Sequence, residues 1–118
     1  MNDKDTLRAA VELAEGWEHH TDPSGELWLA PEGVHRPHVN GSSLWIWDEL
    51  PAPILDALAA QLVRQVDALD GYFIEVSKGW ACVREALSYE AVSDVNAKYG
   101  PDRTLNTIKA IVDSGVLK

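Results

Sequence analysis

Apolar residues recur at helical spacing over Pro51 to Asp70, PAPILDALAAQLVRQVDALD. Leu55, Leu58, Leu62, Val66 and Leu69 fall on one face in steps of three and four, which predicts an amphipathic helix. Ala59 and Val63 widen the stripe, and Asp56, Arg64, Gln65 and Asp67 take the polar side. Pro51 and Pro53 suit a first turn, and Asp70-Gly71 is a stop signal with Gly71 as the left-handed cap. The period then changes. YFIEVSKGWACVRE, Tyr72 to Glu85, is aromatic and β-branched around Lys78-Gly79, which predicts a β-hairpin. With that turn, Ser77 faces Trp80, Val76 faces Ala81 and Ile74 faces Val83. Tyr72, Ile74, Val76, Ala81 and Val83 then form an apolar face. Phe73, Glu75, Ser77, Trp80, Cys82 and Arg84 form a mixed one, with Glu75 and Arg84 in diagonal reach.

Upstream, Asp5 or Thr6 can cap a helix over TLRAAVELAEGW, with Leu7, Val11 and Ala14 on one face, Ala10 and Leu13 beside them, and Gly16 as the stop. Glu18 to His20 reads as extended. Thr21 to Gly25 is a turn, and Glu26 to Ala30 resumes as a strand, giving a second hairpin. Leu27 and Leu29 share one face, Trp28 the other. Pro31 to Ser43 has two prolines, two glycines and an Asn-Gly, and reads as a long loop. Leu44 onward is briefly extended, with Trp45 and Trp47 on one side. Ser88 can cap a short helix to Tyr99 with Val92, Val95 and Tyr99 as its stripe, and Gly100-Pro101 breaks it. Asp102 caps a last helix carrying Leu105, Ile108, Ile111 and Val112 inward, with Gly115 as its stop. The expectation is one α+β domain over residues 1–118, in the order α-β-β-α-β-β-α-α, with a small antiparallel sheet of two hairpins sandwiched between helices.

Charge and composition narrow the partners. The chain has 118 residues, a formal charge of −9 and a pI near 4.7. Such a surface disfavours direct nucleic-acid or anionic-membrane binding and leaves room for a basic protein partner. A single cysteine, Cys82, allows no internal disulfide and no cysteine-based zinc site; mid-strand, it reads as a packing residue. The N-terminus has no apolar signal core and no apolar run reaches membrane length, so a cytoplasmic protein is expected.

The candidate chemistry lies around the loop. His35, Arg36, His38 and Asn40 offer hydrogen-bond donors, Trp45 and Trp47 offer aromatic planes, and Lys78, Trp80 and Arg84 could add to them from the hairpin. Donors beside aromatic planes are what a nucleotide-like ligand needs, Arg and His for phosphate and Trp for a base. The competing role of the five tryptophans is core and interface packing, which is assigned to Trp17 and Trp28. A zinc site from His19, His35 and His38 would need three ligands to converge, which a proline-containing loop does not enforce. No phosphate-binding glycine loop, nucleophile elbow or Cys-His pair is present, so no catalytic residue and no cofactor are assigned.

The helix running into Glu15-Gly16-Trp17, the Trp28 strand, the Pro/Ser-containing loop, DALAAQLVRQVDAL, GYFIEVSKGWACV and the TLNTIKAIV helix together resemble the phage ABA sandwich domain, a family of small bacteriophage and prophage proteins. The resemblance covers most of the chain. The loop from Gly33 to Ser43 and the Ser88 to Tyr99 segment depart from it. It implies helices on both sides of a small antiparallel sheet, a phage origin and an accessory or counter-defence role in the host cytoplasm, with no catalytic residue to carry over. The functional expectation is a non-catalytic binding protein, a sponge for a nucleotide-derived immune signal, with a homo-oligomer supplying the enclosed pocket. The alternatives are an acidic inhibitor of a host defence protein, an enzyme using His35 and His38 on a signal nucleotide, and a structural accessory protein.

Overall fold

The computed structural model describes residues 3–22, 25–29, 44–46, 52–93 and 100–117, with side chains over 5–17, 55–93 and 100–117. The elements are α1 (Asp3–Leu13), β1 (Glu18–Asp22), β2 (Gly25–Leu29), β3 (Leu44–Ile46), α2 (Ala52–Asp67), β4 (Tyr72–Ser77), β5 (Trp80–Glu85) and α3 (Arg103–Ser114). This is an α+β fold. The expected short helix from Ser88 to Tyr99 is corrected over its first half, and residues 94–99 fall outside the described residues.

The expected apolar stripes close the core. Leu58, Leu62 and Val66 of α2, Val11 of α1, Ile108 and Ile111 of α3 and Val83 of β5 are completely buried. Together with Trp17, Ala10 and Ala81 they form one cluster. The hairpin packs against α2 and α3, and α1 packs against both helices. The hairpin register is the expected one, with Ser77↔Trp80, Val76↔Ala81 and Ile74↔Val83. Gly79 takes φ 88° in its turn. At α3, the Asp102 carboxylate accepts from the Leu105 N–H at 3.2 Å, and Gly115 closes the helix at φ 71°.

Four details depart from the expectation. The hairpins do not merge: β1-β2-β3 make one antiparallel sheet and β4-β5 another. The three-stranded sheet meets the rest of the molecule chiefly through β1 against α1. Helix α2 ends at Asp67, so Leu69 lies beyond the stripe and is 44% exposed. Asp70, not Gly71, takes the left-handed conformation, at φ 59°; Asp tolerates that region better than most residues. Val76 sits at the turn end of the hairpin and is also exposed.

The Ser88 segment departs for a clear reason. The outer edge of β5 has backbone groups to satisfy, and the returning chain satisfies them. Val92 N–H donates to the Val83 carbonyl at 2.8 Å, the Ser93 hydroxyl accepts from Val83 N–H at 2.9 Å, and Ala91 bridges Arg84. Residues 91–93 thus run as an antiparallel edge along β5. A helix there would leave Val83 N–H, on a fully buried residue, without this partner.

Candidate functional site

The three-stranded sheet brings together residues that the sequence scatters. β1 pairs with β2 as His19↔Trp28 and His20↔Leu27, and β2 pairs with β3 as Leu27↔Ile46, Trp28↔Trp45 and Leu29↔Leu44. Directly paired residues share a face, and neighbours along a strand alternate. His19, Trp28 and Trp45 therefore form one row across all three strands. Leu27, Leu29, Leu44 and Ile46 belong to the opposite face. The sequence assigned Trp28 to packing and Trp45 to a pocket; the ladder makes them cross-strand neighbours. Strands that pair through an unbroken register were the signal, but it is invisible without knowing that β3 joins β2.

Leu29 and Leu44 are paired, one register step beyond Trp28↔Trp45, and residues 30–43 lie between them in sequence. His35, Arg36, His38 and Asn40 belong to that connection; they and Trp47 lie outside the described residues.

The hairpin candidates lie on β5 and the β4-β5 turn. Lys78 is exposed in the turn and Trp80 is half-buried. Arg84 lies four residues along β5 from Trp80, roughly 13 Å at strand rise. Its guanidinium donates to the Tyr89 carbonyl at 3.0 Å and pairs with the Glu75 carboxylate at 3.7 Å. The diagonal pair expected from the register is present. Arg84 is thereby engaged within its own hairpin, and that hairpin packs chiefly on α2 and α3 rather than on the three-stranded sheet. Cys82 is buried, consistent with a packing residue.

A separate open hollow of about 390 Å³ lies between the end of α1, the end of α2 and the C-terminal residues, lined by Glu15, Gln61, Arg64, Gln65, Leu69 and Val116 among others. Its polar groups hold the junction together. The Gln65 amide donates to the Leu13 carbonyl at 2.9 Å and accepts from Glu15 N–H at 2.8 Å, capping α1. Gln61 donates to the same Gln65 oxygen, and Arg64 donates to Gln61. The sequence placed Gln65 on the solvent side; its partner is on another helix.

Among the described residues no group of three or more His, Cys, Asp or Glu converges as a metal site, and no helix is long and apolar enough to cross a membrane. No family model, no curated protein and no solved structure matches the chain.

Proposed function

We propose that this chain is a non-catalytic binding protein that captures a planar, anionic, nucleotide-derived ligand at the β1-β2-β3 sheet. The observation that carries the reading is the His19–Trp28–Trp45 row across three strands, with His35, Arg36, His38 and Asn40 following β2 in sequence. A base stacked on an aromatic side chain gains about 1–3 kcal/mol, and Arg and His donors match phosphate oxygens. Lys78, Trp80 and Arg84 are left to the hairpin frame. The resemblance to phage ABA sandwich domains favours an anti-defence role in the host cytoplasm, with the ligand an immune signal. A second copy of the chain would enclose the pocket.

The test is a thermal-shift panel of cyclic dinucleotides and ADP-ribose derivatives on the wild type and on Trp45→Ala. A ligand that binds only the native state stabilises it by about 2.7 kcal/mol at a hundredfold excess over Kd. One nucleotide should raise the wild-type Tm, lose that effect on Trp45→Ala, and be recovered intact after denaturation. No shift with any member, or an equal shift in both proteins, removes the sheet as the site. Recovery of a hydrolysed product makes the protein an enzyme instead.

A further inference from the structure

The tight loop that joins β5 to its edge segment is held by more bonds than a turn of its length requires. Glu85 N–H donates to the Glu90 carbonyl at 2.8 Å and Tyr89 N–H to the Glu85 carbonyl at 2.9 Å. The Ser88 hydroxyl donates to the Glu85 carboxylate at 2.9 Å and accepts from Glu90 N–H at 3.2 Å. Ala86 N–H reaches the Gly71 carbonyl at 2.9 Å, and Arg84 donates to the Tyr89 carbonyl. The Tyr89 ring meets Phe73 edge-on, with centroids 5.7 Å apart. This frame holds Tyr89 at φ 59°, a region that bulky L residues avoid.

What the frame displays is apolar. Leu87 is 99% exposed and Tyr89 is 68% exposed. Leu87 is covered by nothing in the described chain and Tyr89 only by its edge contact with Phe73, yet their backbone is fixed in advance, which lowers the ordering cost of docking. Acidic residues belong to the same loop and to the backbone bonded to it: Glu85 and Glu90 flank the tip in sequence, and Asp70 precedes Gly71, whose carbonyl accepts from Ala86 N–H. Asp70, Glu75 and Glu90 are exposed and Glu85 is half-buried, while Arg84 is spent on Glu75 and the loop carbonyl.

We propose that the Leu87–Tyr89 tip is a docking site for a protein whose surface offers an apolar socket rimmed by lysine or arginine. Tyrosine at the centre of a contact is a frequent affinity anchor, and these carboxylates select a cationic rim. The same carboxylates repel nucleic acid and anionic bilayers, and two copies of the tip would bring like charges together. The tip lies on the helix–hairpin side of the molecule, so it stands apart from the ligand reading of the three-stranded sheet.

The experiment is selection of a random displayed peptide library on the intact protein, with each enriched peptide then measured against wild type and Leu87→Ser. Leu87 touches solvent only, so circular dichroism and Tm should match between the two. The expected peptides carry an apolar cluster flanked by Lys or Arg. Their affinity should fall roughly tenfold or more on Leu87→Ser, which forfeits the burial of a leucine side chain, and should fall with added sodium chloride. Any nucleotide-induced shift should be the same in both proteins. Absence of enrichment, peptides without positive charge, or equal binding to both proteins overturns the proposal. So does a wild-type dimer in sedimentation that Leu87→Ser dissolves, because the occupant is then a second copy.

Discussion

In the unit built from α1, α2, α3 and the β4-β5 hairpin, apolar side chains from every element meet in one cluster. In the β1-β2-β3 sheet the order comes from the ladder itself, and β1 against α1 is its main link to the cluster. The first arrangement concentrates burial, so its residues should set global stability. The second sets His19, Trp28 and Trp45 at matching register positions across three strands, and under the proposed function those positions meet the ligand. Regions tied to the common core through fewer elements open locally at lower free energy, and binding segments are drawn from that end of the scale.

The largest effect expected is at the centre of the first unit. Leu62 is fully buried, and Leu62→Ala should cost about 2–5 kcal/mol through lost transfer energy and the cavity left behind. Urea unfolding measures the loss. Native-state hydrogen exchange tests the comparison: protection of amides in α2, α3 and β5 should fall together by that amount, while β2 and β3, exchanging by local opening, change less. If β2 and β3 lose protection in step with α2, the two regions are one cooperative unit.

A middle-sized effect belongs to the β5 edge. The Ser93 hydroxyl is the acceptor for Val83 N–H, on a residue with no exposed surface. Ser93→Ala strands that donor and should cost about 1–3 kcal/mol. Ser93→Thr, which keeps the oxygen, should recover part of it. A cost near zero for the alanine variant would mean that the edge segment contributes little to holding the hairpin.

How much of this was legible in the chain follows the range of the interactions. The hairpin register came from a local cue, Lys78-Gly79 between alternating residues, and the α3 boundaries from Asp102 and Gly115. The Ser88 segment misled because Val92 and its neighbours in a short stretch fit a helical period as well as an edge strand. The choice was made by unpaired groups on β5, a tertiary demand. The Gln65 cap joins residues fifty positions apart in sequence, beyond any local pattern, and it left a polar residue looking like a solvated one. The same limit applied to the site. Trp28 and Trp45 could each be noticed, but their pairing needed the partner of β3, across a connection with no fixed length. The Arg84–Glu75 pair was legible because a hairpin register is short-range.

The smallest effect bears most directly on where the two regions divide. Arg84 pairs with Glu75 at 3.7 Å, the two side chains being 24% and 48% exposed, and also donates to the Tyr89 carbonyl. Solvent screens a pair this accessible, so Arg84→Gln should cost at most about 1 kcal/mol. Its influence on any nucleotide-induced thermal shift should be nil, since the guanidinium is directed at the hairpin loop. Trp45→Ala should remove the shift. Measuring both variants at one ligand concentration separates the regions by function rather than by stability. An Arg84→Gln protein that folds with wild-type stability but loses the shift would place the hairpin inside the ligand site. The sheet row would then be only part of that site, and the boundary between a frame that carries stability and a sheet that carries recognition would have to be redrawn through β5.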